Sequence, residues 1–425
     1  MIRAKAFAGK HYAVLGLARS GLATIEALLA SGANVTAWDD RGDARAKAPA
    51  GSGIEDFVES DLSRFDSIVV TPGLPLNRHP IAARALEAGV EILGDIELFA
   101  RARPELPPHK VVGITGTNGK STTTALIHHI LETAGVPSMM GGNIGLPILG
   151  ADPLPDGGVY VLELSSYQLD LTQSLDCDVA VLLNITPDHL DRYDGFDDYA
   201  ASKARLFELQ SPGRLAIVDH QAETNEHVLD MALDPIIQFI DDIEVGDQAE
   251  WPSLQGPHNR QNAAAAVAAC NFLGLSDEAI ENGFRTYPGL PHRMERVGEK
   301  HGVLFVNDSK ATNPTATAPA LAAFPAIRWI LGGQAKTGNL DECVPYFDHV
   351  SKAYTIGEAG KFFAGLLSPR MAVAECETLD VAVKVAAEEA QAGDVVLLSP
   401  ACASFDQFRD FEARGDRFRV LVGEL

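Results

Sequence analysis

A glycine-rich loop followed by Lys-Ser is the segment of this sequence with the clearest chemical content. Residues 111–127 read VVGITGTNGKSTTTALI: an apolar run, a loop and a helix-forming run. The candidate phosphate-binding residues are consecutive, namely Gly116, Thr117, Asn118, Gly119, Lys120, Ser121 and Thr122. Glycines let backbone N–H groups approach phosphate oxygens, and a helix N-terminus adds partial positive charge. Lys120 could reach the outer phosphates of a nucleotide, and Ser121 could hold Mg²⁺.

This loop predicts nucleotide hydrolysis, phosphoryl transfer or ATP-driven activation, although its spacing is unusual. In the common pattern G-x-x-x-x-G-K-[ST], Ile114 stands at the first glycine and Gly113 is one residue too early. A glycine-rich turn that only caps a helix is the alternative. The order of strand, loop, Lys-Ser and helix favours the phosphate site.

A carboxylate ends the next apolar run. Glu163 lies at the end of a predicted buried strand over residues 159–164 (VYVLEL), and the segment SSYQ follows. The carboxyl end of such a strand is where α/β proteins bind ligands, and a carboxylate there suits Mg²⁺. A helix-capping or surface glutamate is the alternative.

Residues 184–193 (NITPDHLDRY) follow a third apolar run and bring together amide, carboxylate, imidazole and guanidinium groups. We interpret the cluster, with His189 at its centre, as part of a ligand site at a sheet edge. A surface loop is the alternative. Lys203 follows on a predicted helix over residues 197–209, where the residue pattern alone predicts a solvated face.

The N-terminal turn GLARSG, residues 16–21, nearly matches the dinucleotide fingerprint G-x-G-x-x-G, with Asp39 and Asp40 after the next predicted strand. In the fingerprint, the middle glycine lets a pyrophosphate approach the backbone closely, and here Ala18 replaces that glycine. Three interpretations stay open: a dinucleotide, another nucleotide-like diphosphate, or plain strand–helix packing. The middle one is favoured.

Three polar loops follow three predicted strands in the last third of the chain. They are residues 307–314 (NDSKATNP), 331–336 (LGGQAK) and 399–408 (SPACASFDQF). Because parallel strands end at one edge of a sheet, we expect the loops to form one shared pocket.

These motifs are spaced along a chain that predicts an α/β protein. Strands alternate with helices throughout, which indicates parallel sheets. We predict three domains: residues 1–100, a Rossmann-like domain that binds a diphosphate substrate; 101–290, a P-loop ATPase-like ATP-binding domain; and 291–425, a Rossmann-like α/β domain. In the last domain, parallel strands are predicted at residues 303–307, 328–331, 353–356 and 394–398. The proline-rich stretch 101–109 is the predicted first linker.

The composition of the chain restricts the kinds of molecule that it could bind. The net charge is 34 − 58 = −24, which disfavours nucleic acid and anionic membranes as partners. Five scattered cysteines without a C-x-x-C pair fit a reducing cytoplasm. We find no apolar run approaching the ~20 residues needed to cross a bilayer and no signal-peptide pattern, so we expect a cytoplasmic protein.

The sequence resembles the Mur ligases of peptidoglycan precursor synthesis over nearly its whole length. The motifs that carry the resemblance occur in family order: 116–122 (GTNGKST), 141–145 (GGNIG), 163–168 (ELSSYQ), 188–189 (DH), Lys203, 258–259 (HN) and 291–293 (PHR). Residues 307–313 (NDSKATN) and 399–404 (SPACAS) are similar to the branch of the family that adds D-glutamate.

The resemblance implies an ATP-dependent amide ligase that joins D-glutamate to UDP-N-acetylmuramoyl-L-alanine through an acyl phosphate, with two Mg²⁺ sites. It implies that Lys120 binds the outer phosphates, that Ser121 and Glu163 hold one Mg²⁺, and that His189 and a carbamylated Lys203 hold the second. Lys120, His189 and Lys203 would be catalytic. A monomer acting on small molecules is expected.

The resemblance also implies the remaining contacts. The nucleotide contacts would be Asn259, Asn262, Arg293, Asp308 and Lys310. The uridine diphosphate would contact Arg19, Ser20, Asp39, Asp40 and Arg41. Asn143 would contact the phosphate region on the side of the substrate. The acceptor amino acid would meet Thr312, Lys336, Ser404, Phe405 and Phe411. Gln334 departs from the charged residue more common in this loop, so its contact is open.

Three rival classes differ in what they leave unexplained. A folylpolyglutamate synthase shares the fold and chemistry, but would carry a folate pocket in place of the N-terminal diphosphate site. A dehydrogenase would leave Lys120 without a role. A binding module without enzymatic activity would leave Glu163, His189 and Lys203 without one.

Overall fold

The computed structural model describes residues 1–188, 191–220 and 236–425. By the density of their internal contacts, the residues divide into two compact units. Unit 1 comprises Met1–Glu244 and Ala264–Gly283, and unit 2 comprises Val245–Ala263 and Phe284–Leu425.

Unit 1 begins with a five-stranded parallel sheet of order β3-β2-β1-β4-β5. Its strands are β1 (His11–Leu15), β2 (Asn34–Trp38), β3 (Gly53–Ile54), β4 (Ser67–Val70) and β5 (Glu91–Leu93). Its helices are α1 (Arg19–Ala30), α2 (Gly42–Arg45), α3 (Pro80–Ala88) and α4 (Asp95–Ala102). The order confirms the predicted doubly wound sheet, and its apolar strands pack helices on both faces.

The second sheet of unit 1 has six parallel strands in the order β11-β10-β9-β6-β8-β7. They are β6 (His109–Thr115), β7 (Ser138–Gly142), β8 (Gly158–Glu163), β9 (Val179–Leu182), β10 (Leu215–Val218) and β11 (Ile236–Phe239). The accompanying helices are α5 (Lys120–Thr133), α6 (Ser166–Asp170) and α7 (Phe196–Glu208), followed in the chain by α8 (Pro257–Leu273) and α9 (Asp277–Thr286). Every residue of β8 and β9 is buried, as continuous apolar runs predict.

Unit 2 contains a six-stranded sheet of order β12-β13-β17-β14-β15-β16. The strands are β12 (Glu295–Lys300), β13 (Val303–Asn307), β14 (Ile327–Gly332), β15 (Val350–Ile356), β16 (Val373–Glu377) and β17 (Val395–Leu398). The helices are α10 (Pro314–Ala322), α11 (Gly360–Leu367), α12 (Leu379–Glu389) and α13 (Phe411–Glu424). The four strands that the sequence predicts, β13, β14, β15 and β17, pair in parallel, which confirms the prediction for them. The edge strand β12 was not predicted, and it pairs antiparallel with β13. The turn between them is two residues long, too short for a crossover.

The predicted linker over residues 101–109 is mostly structured. α4 extends to Ala102, a 3₁₀ turn covers Arg103–Glu105 and β6 begins at His109. The ring of His109 lies 5.1 Å from that of Tyr160, edge to face. The prolines therefore lie in a packed connection between the two sheets of unit 1.

Among the described residues, no helix combines the length and the apolar character that crossing a bilayer requires.

Candidate active site

The glycine loop connects β6 to α5, as the sequence predicts. Gly116 has φ +146° and Gly119, which precedes the first helical residue, has φ +85°. A Cβ atom on Gly116 would lie 3.3 Å from the carbonyl oxygen of Asn184. Glycine is therefore required by both backbone conformation and space, and no side chain caps the helix start. A loop of this geometry presents backbone N–H groups to an anion.

Lys120 lies on the first turn of α5 and folds back over the loop. Its Nζ donates hydrogen bonds to the carbonyl oxygens of Gly116 and Thr117, both at 2.8 Å. The cation is thus held at the mouth of the phosphate loop, where it can meet phosphate oxygens.

Glu163 gathers two of the other predicted site residues around one carboxylate. Its Oε2 accepts a hydrogen bond from Ser121 Oγ at 2.6 Å, and its Oε1 accepts one from Asn143 Nδ2 at 2.8 Å. The side chain is buried at the carboxyl end of β8. The surface-glutamate alternative is therefore wrong.

Lys203 is buried on α7, so the solvated helix face predicted from its local pattern is wrong. Its Nζ donates to the carbonyl of Gly116 at 2.9 Å and lies 4.7 Å from the centre of the Tyr199 ring. Burial lowers the pKa of this amine well below its usual value, and the nearby Lys120 cation lowers it further. A neutral amine beside the phosphate loop is the form that reacts with carbon dioxide.

His189 lies outside the described residues, so its place in the site stays a prediction. Of the loop that carries it, Asn184 accepts a hydrogen bond from the Asn118 N–H through Oδ1 at 2.9 Å. The loop after β9 is therefore joined to the phosphate loop.

The side-chain oxygens of Ser121 and Glu163 are suitable ligands for Mg²⁺. Within residues 1–188, 191–220 and 236–425, no group of three or more histidine, cysteine, aspartate or glutamate side chains could hold a metal. Mg²⁺ commonly uses only one or two carboxylates together with waters and substrate phosphates. A hydroxyl and a carboxylate 2.6 Å apart beside a phosphate loop suit that mode.

A strap of hydrogen bonds joins this region to the N-terminal sheet within unit 1. Arg192 donates to the carbonyl of Leu74 at 2.8 Å, and its guanidinium lies 4.1 Å from the centre of the Tyr167 ring. Asn77 and Arg78 donate to the carbonyl of Asp191 at 3.2 and 3.1 Å. The loop after β4 is thus tied to the loop that follows β9.

The N-terminal turn is built as the fingerprint predicts at two of its glycine positions. Gly16 has φ +99°, and a Cβ on Gly21 would lie 2.0 Å from the carbonyl oxygen of Gly16. Asp39 accepts hydrogen bonds from the backbone N–H of Leu17 at 2.8 Å and of Arg41 at 3.0 Å. Burial acts to raise the pKa of Asp39, but these hydrogen bonds outweigh it and the net shift is downward.

The other predicted substrate residues of this turn surround it. Arg19 is exposed and donates to the carbonyl of Gly145 at 3.1 Å, next to the Asn143 segment. Ser20 is half-buried in the first turn of α1, and Asp40 and Arg41 are exposed. The site therefore presents two guanidinium groups and a helix N-terminus without a side-chain cap, which suits a diphosphate.

In unit 2, the predicted nucleotide contacts form two groups. Asn259 and Asn262 are buried on α8 and are joined at 3.1 Å. Asp308 accepts hydrogen bonds from Ser399 Oγ at 2.8 Å and from the Met294 N–H at 3.2 Å, and burial raises its pKa to about 7. Arg293 is half-buried one residue before Met294. Lys310 Nζ lies 3.8 Å from the centre of the Phe411 ring.

Two predicted acceptor-site residues are brought together in the same unit. Lys336 Nζ lies 3.4 Å from Thr312 Oγ1. Gln334 pairs with Ala403 through two backbone hydrogen bonds of 2.9 and 3.0 Å, which places the loop after β14 beside the loop after β17. Ser404 is buried and Phe405 is exposed. The three-loop pocket is supported to this extent.

Two residues of these sites had no predicted role. Arg414 is buried in α13, where it donates to Ser309 O at 2.9 Å and to Cys402 O at 3.0 Å. Burial lowers its pKa to about 10. Tyr199 contacts Thr117 Oγ1 through its hydroxyl at 3.1 Å. No local pattern marks either residue, because their partners are distant in sequence.

Comparison with known proteins identifies the family of the chain. Family profiles match three consecutive segments: a Mur ligase MurD-like N-terminal domain at residues 10–94, a Mur ligase middle domain at 114–242 and a Mur ligase glutamate ligase domain at 292–402. The chain is 61% identical to the UDP-N-acetylmuramoylalanine–D-glutamate ligase of Novosphingobium aromaticivorans, covering 100% of this chain and 97% of that protein. It is 60% identical to the enzyme of the same name from Sphingopyxis alaskensis, covering 100% of both.

A solved structure extends the likeness to the fold. The UDP-N-acetylmuramate–alanine ligase of Thermotoga maritima superposes with a TM-score of 0.58 at 17% identity, covering 98% of this chain and 99% of that one. The full-length relatives at 60–61% identity are ligases by name. The chain belongs to the Mur ligase family.

Proposed function

We propose that this protein is the ATP-dependent ligase that adds D-glutamate to UDP-N-acetylmuramoyl-L-alanine. The observation that carries the proposal is the convergence of Lys120, Lys203 and the Ser121–Glu163 pair on one phosphate loop. The relatives that share 60–61% of the residues over the full length carry the name of this activity.

The chemistry needs an activated carboxylate, because an amine does not displace oxygen from a carboxylate anion. ATP would supply a phosphoryl group to the alanine carboxylate, which gives an acyl phosphate with phosphate as leaving group. The amine of D-glutamate would then attack, and the tetrahedral intermediate would lose phosphate. Lys120 would hold the outer phosphates and offset their charge as the two anions approach.

Two Mg²⁺ ions would supply the remaining charge neutralisation. Ser121 and Glu163 are the proposed donors for one. His189 and a carbamate on Lys203 are the proposed donors for the other. A carbamate is supported by the burial of Lys203 and its lowered pKa, since an ammonium would repel a dication.

The residues that would bind each substrate are assigned from the family resemblance together with the local geometry. The residues proposed to bind the uridine diphosphate are Arg19, Ser20, Asp39, Asp40 and Arg41. Asn143 is proposed to contact the phosphate region on the side of the substrate. The proposed nucleotide contacts are Asn259, Asn262, Arg293, Asp308 and Lys310. The proposed acceptor contacts are Thr312, Lys336, Ser404, Phe405 and Phe411. The functional domains are proposed at residues 1–100, 101–290 and 291–425.

A monomer in a reducing cytoplasm fits these roles. All five cysteines are unpaired and buried, as a reducing compartment permits.

A phosphate-release assay tests the proposal directly. Release should require UDP-N-acetylmuramoyl-L-alanine, ATP and D-glutamate together, and L-glutamate and D-aspartate should be poor substitutes. Equal turnover with L- and D-glutamate would reduce the function to a generic Mur-type amide ligase. Release with a folate substrate and no uridine substrate would favour the folylpolyglutamate synthase alternative.

A further inference from the structure

A cleft separate from the proposed ligase site lies in unit 2, at the carboxyl ends of β15 and β16. Its volume is about 400 Å³, and its lining includes Thr355, Gly360, Lys361 and four acidic residues. The acidic residues are Glu358, Glu375, Glu377 and Asp406. None of these residues is among the proposed acceptor, nucleotide or diphosphate contacts, and Asp406 lies on the loop of residues 399–408 that also carries Ser404.

Thr355, one of the residues that line this cleft, carries a buried hydroxyl. The residue is 1% exposed, and its Oγ1 makes no hydrogen bond within the part of the chain that the structure describes. It lies 3.7 Å from the position that a Cβ atom on Gly360 would take, so it faces the start of α11. A buried hydroxyl that lacks a partner is unfavourable, and valine has the same shape without it. The hydroxyl therefore indicates a ligand group that would donate to it or accept from it.

The side of the cleft next to Thr355, formed by Gly360 and Lys361 at the start of α11, attracts anions. α11 begins at Gly360 without a side-chain cap, so its first N–H groups carry the partial positive charge of a helix N-terminus. Lys361 is the second residue of that helix and adds an ammonium. A carboxylate is the small anionic group that such a wall and a hydroxyl would hold together.

The remaining lining is acidic. Glu375 and Glu377 lie on β16, and the Asp406 carboxylate accepts a hydrogen bond from the Glu358 N–H at 2.9 Å. Four carboxylates against one ammonium give a net charge of 1 − 4 = −3 for the lining. This charge disfavours nucleotides and dicarboxylates such as glutamate, and favours ammonium groups. Within the described ranges no metal-binding cluster of carboxylates occurs, so an organic cation fits better than a metal.

We propose that this cleft binds a free basic amino acid, with its carboxylate at the start of α11 and its two ammonium groups at the acidic side. The carboxylate would meet Thr355 and Lys361, and the ammonium groups would meet Glu375, Glu377 and Asp406. The site stands apart from the proposed ligase reaction, whose acceptor carries two carboxylates and would meet Lys336. Asp406 follows Ser404 by two residues, which connects the cleft to the proposed acceptor loop along the chain.

Calorimetric titration of the full chain with lysine tests the proposal. Lysine of at least one enantiomer should bind with at least tenfold higher affinity than cadaverine, which lacks the carboxylate, and than norleucine, which lacks the side-chain ammonium. Thr355→Val should weaken lysine binding at least tenfold without lowering the thermal unfolding midpoint. Thr355→Ser should retain binding, and Glu375→Gln should weaken it.

The Lys336→Ala variant separates this cleft from the acceptor site. This variant should bind lysine with the same affinity as the unchanged protein, whether or not the substitution weakens the binding of glutamate. Absence of lysine binding at millimolar concentration, binding indifferent to Thr355→Val, or binding lost in Lys336→Ala would each overturn the proposal. Equal affinity for cadaverine would also overturn it, because the carboxylate would then have no role. None of these outcomes depends on whether the chain releases phosphate with D-glutamate.

Discussion

Lys120 and Lys203 donate to the same oxygen, the carbonyl of Gly116, at 2.8 and 2.9 Å. Two cations that share one acceptor repel each other strongly where water is excluded. Lys203 is the more buried of the two, and its pKa is lowered first by that burial and then by Lys120. The neutral form of the Lys203 amine is therefore favoured compared with that of a solvent-exposed lysine.

Removing the charge at Lys120 should abolish ligation while the fold persists. Lys120→Ala should lower turnover by a factor on the order of 100 to 1,000, which corresponds to about 2.7–4 kcal/mol of transition-state stabilisation. Phosphate release measures the loss, and thermal unfolding checks the fold. The exposed Lys47→Ala variant is the matched control. Turnover above a tenth of the original in Lys120→Ala would contradict the assignment.

Replacing Lys203 should give an inactive enzyme that short carboxylic acids restore in part. In Lys203→Ala, acetate or formate would occupy the space of the carbamate and supply its oxygens. The unchanged protein, equilibrated with isotopically labelled bicarbonate, should show a carbamate carbonyl signal by NMR that this variant lacks. An unmodified lysine in the active, ATP-bound enzyme would rule out the carbamate.

Asp308 should make stability fall as pH rises. Its pKa is raised from 3.8 to about 7 by burial, so the folded protein keeps a proton that the unfolded chain releases. The stabilisation is complete below about pH 4 and is lost as pH rises through about 7, with an upper limit of about 4 kcal/mol. Between about pH 5 and 8, the unchanged protein should lose unfolding free energy relative to Asp308→Asn. Denaturant titrations measure the difference, and parallel pH curves would refute it.

At the scale of elements, the site depends on loops that follow parallel strands and on the strap between two of them. β6 carries the phosphate loop, β8 carries Glu163 and β9 leads to Asn184. Arg192 then ties the loop after β9 to Leu74, beyond the end of β4. The predicted diphosphate turn and the phosphate loop are both followed by helices of this unit.

Breaking the strap should weaken use of the uridine substrate more than use of ATP. Arg192→Ala removes the hydrogen bond to Leu74 and the contact with Tyr167, a loss of about 1.5 kcal/mol by the usual strength of charged hydrogen bonds. The KM for UDP-N-acetylmuramoyl-L-alanine should rise about tenfold, and amide exchange over residues 72–79 should become faster. The exposed Arg3→Ala variant is the control. Unchanged exchange in Arg192→Ala would show that the strap has no positioning role.

At the scale of the whole molecule, charge governs association. The net charge of −24 on a chain of 45.3 kDa opposes self-association and binding to nucleic acid. Positive charge is instead concentrated locally, as at Lys120 and Lys336, where anionic substrates are proposed to bind.

The purified protein should therefore be a monomer. Light scattering at physiological salt should return a mass near 45.3 kDa. A mass twice as large at micromolar concentration would contradict the monomer. A parallel titration with duplex DNA should show no binding.

The sequence by itself determined the α/β class, the phosphate loop and Glu163 at a strand end. Each depends on short-range order: apolar runs become buried strands, and glycines permit the turn before a helix. The loops after β14 and β17 were also foreseeable, because parallel strands end at one edge of a sheet. The tertiary structure alone decided that Lys203 is buried against Gly116, 87 residues away. It also decided that Arg414 joins Ser309 to Cys402 and that β12 runs antiparallel. Burial and long-range partners depend on which elements pack together, and no local pattern of residues contains that information.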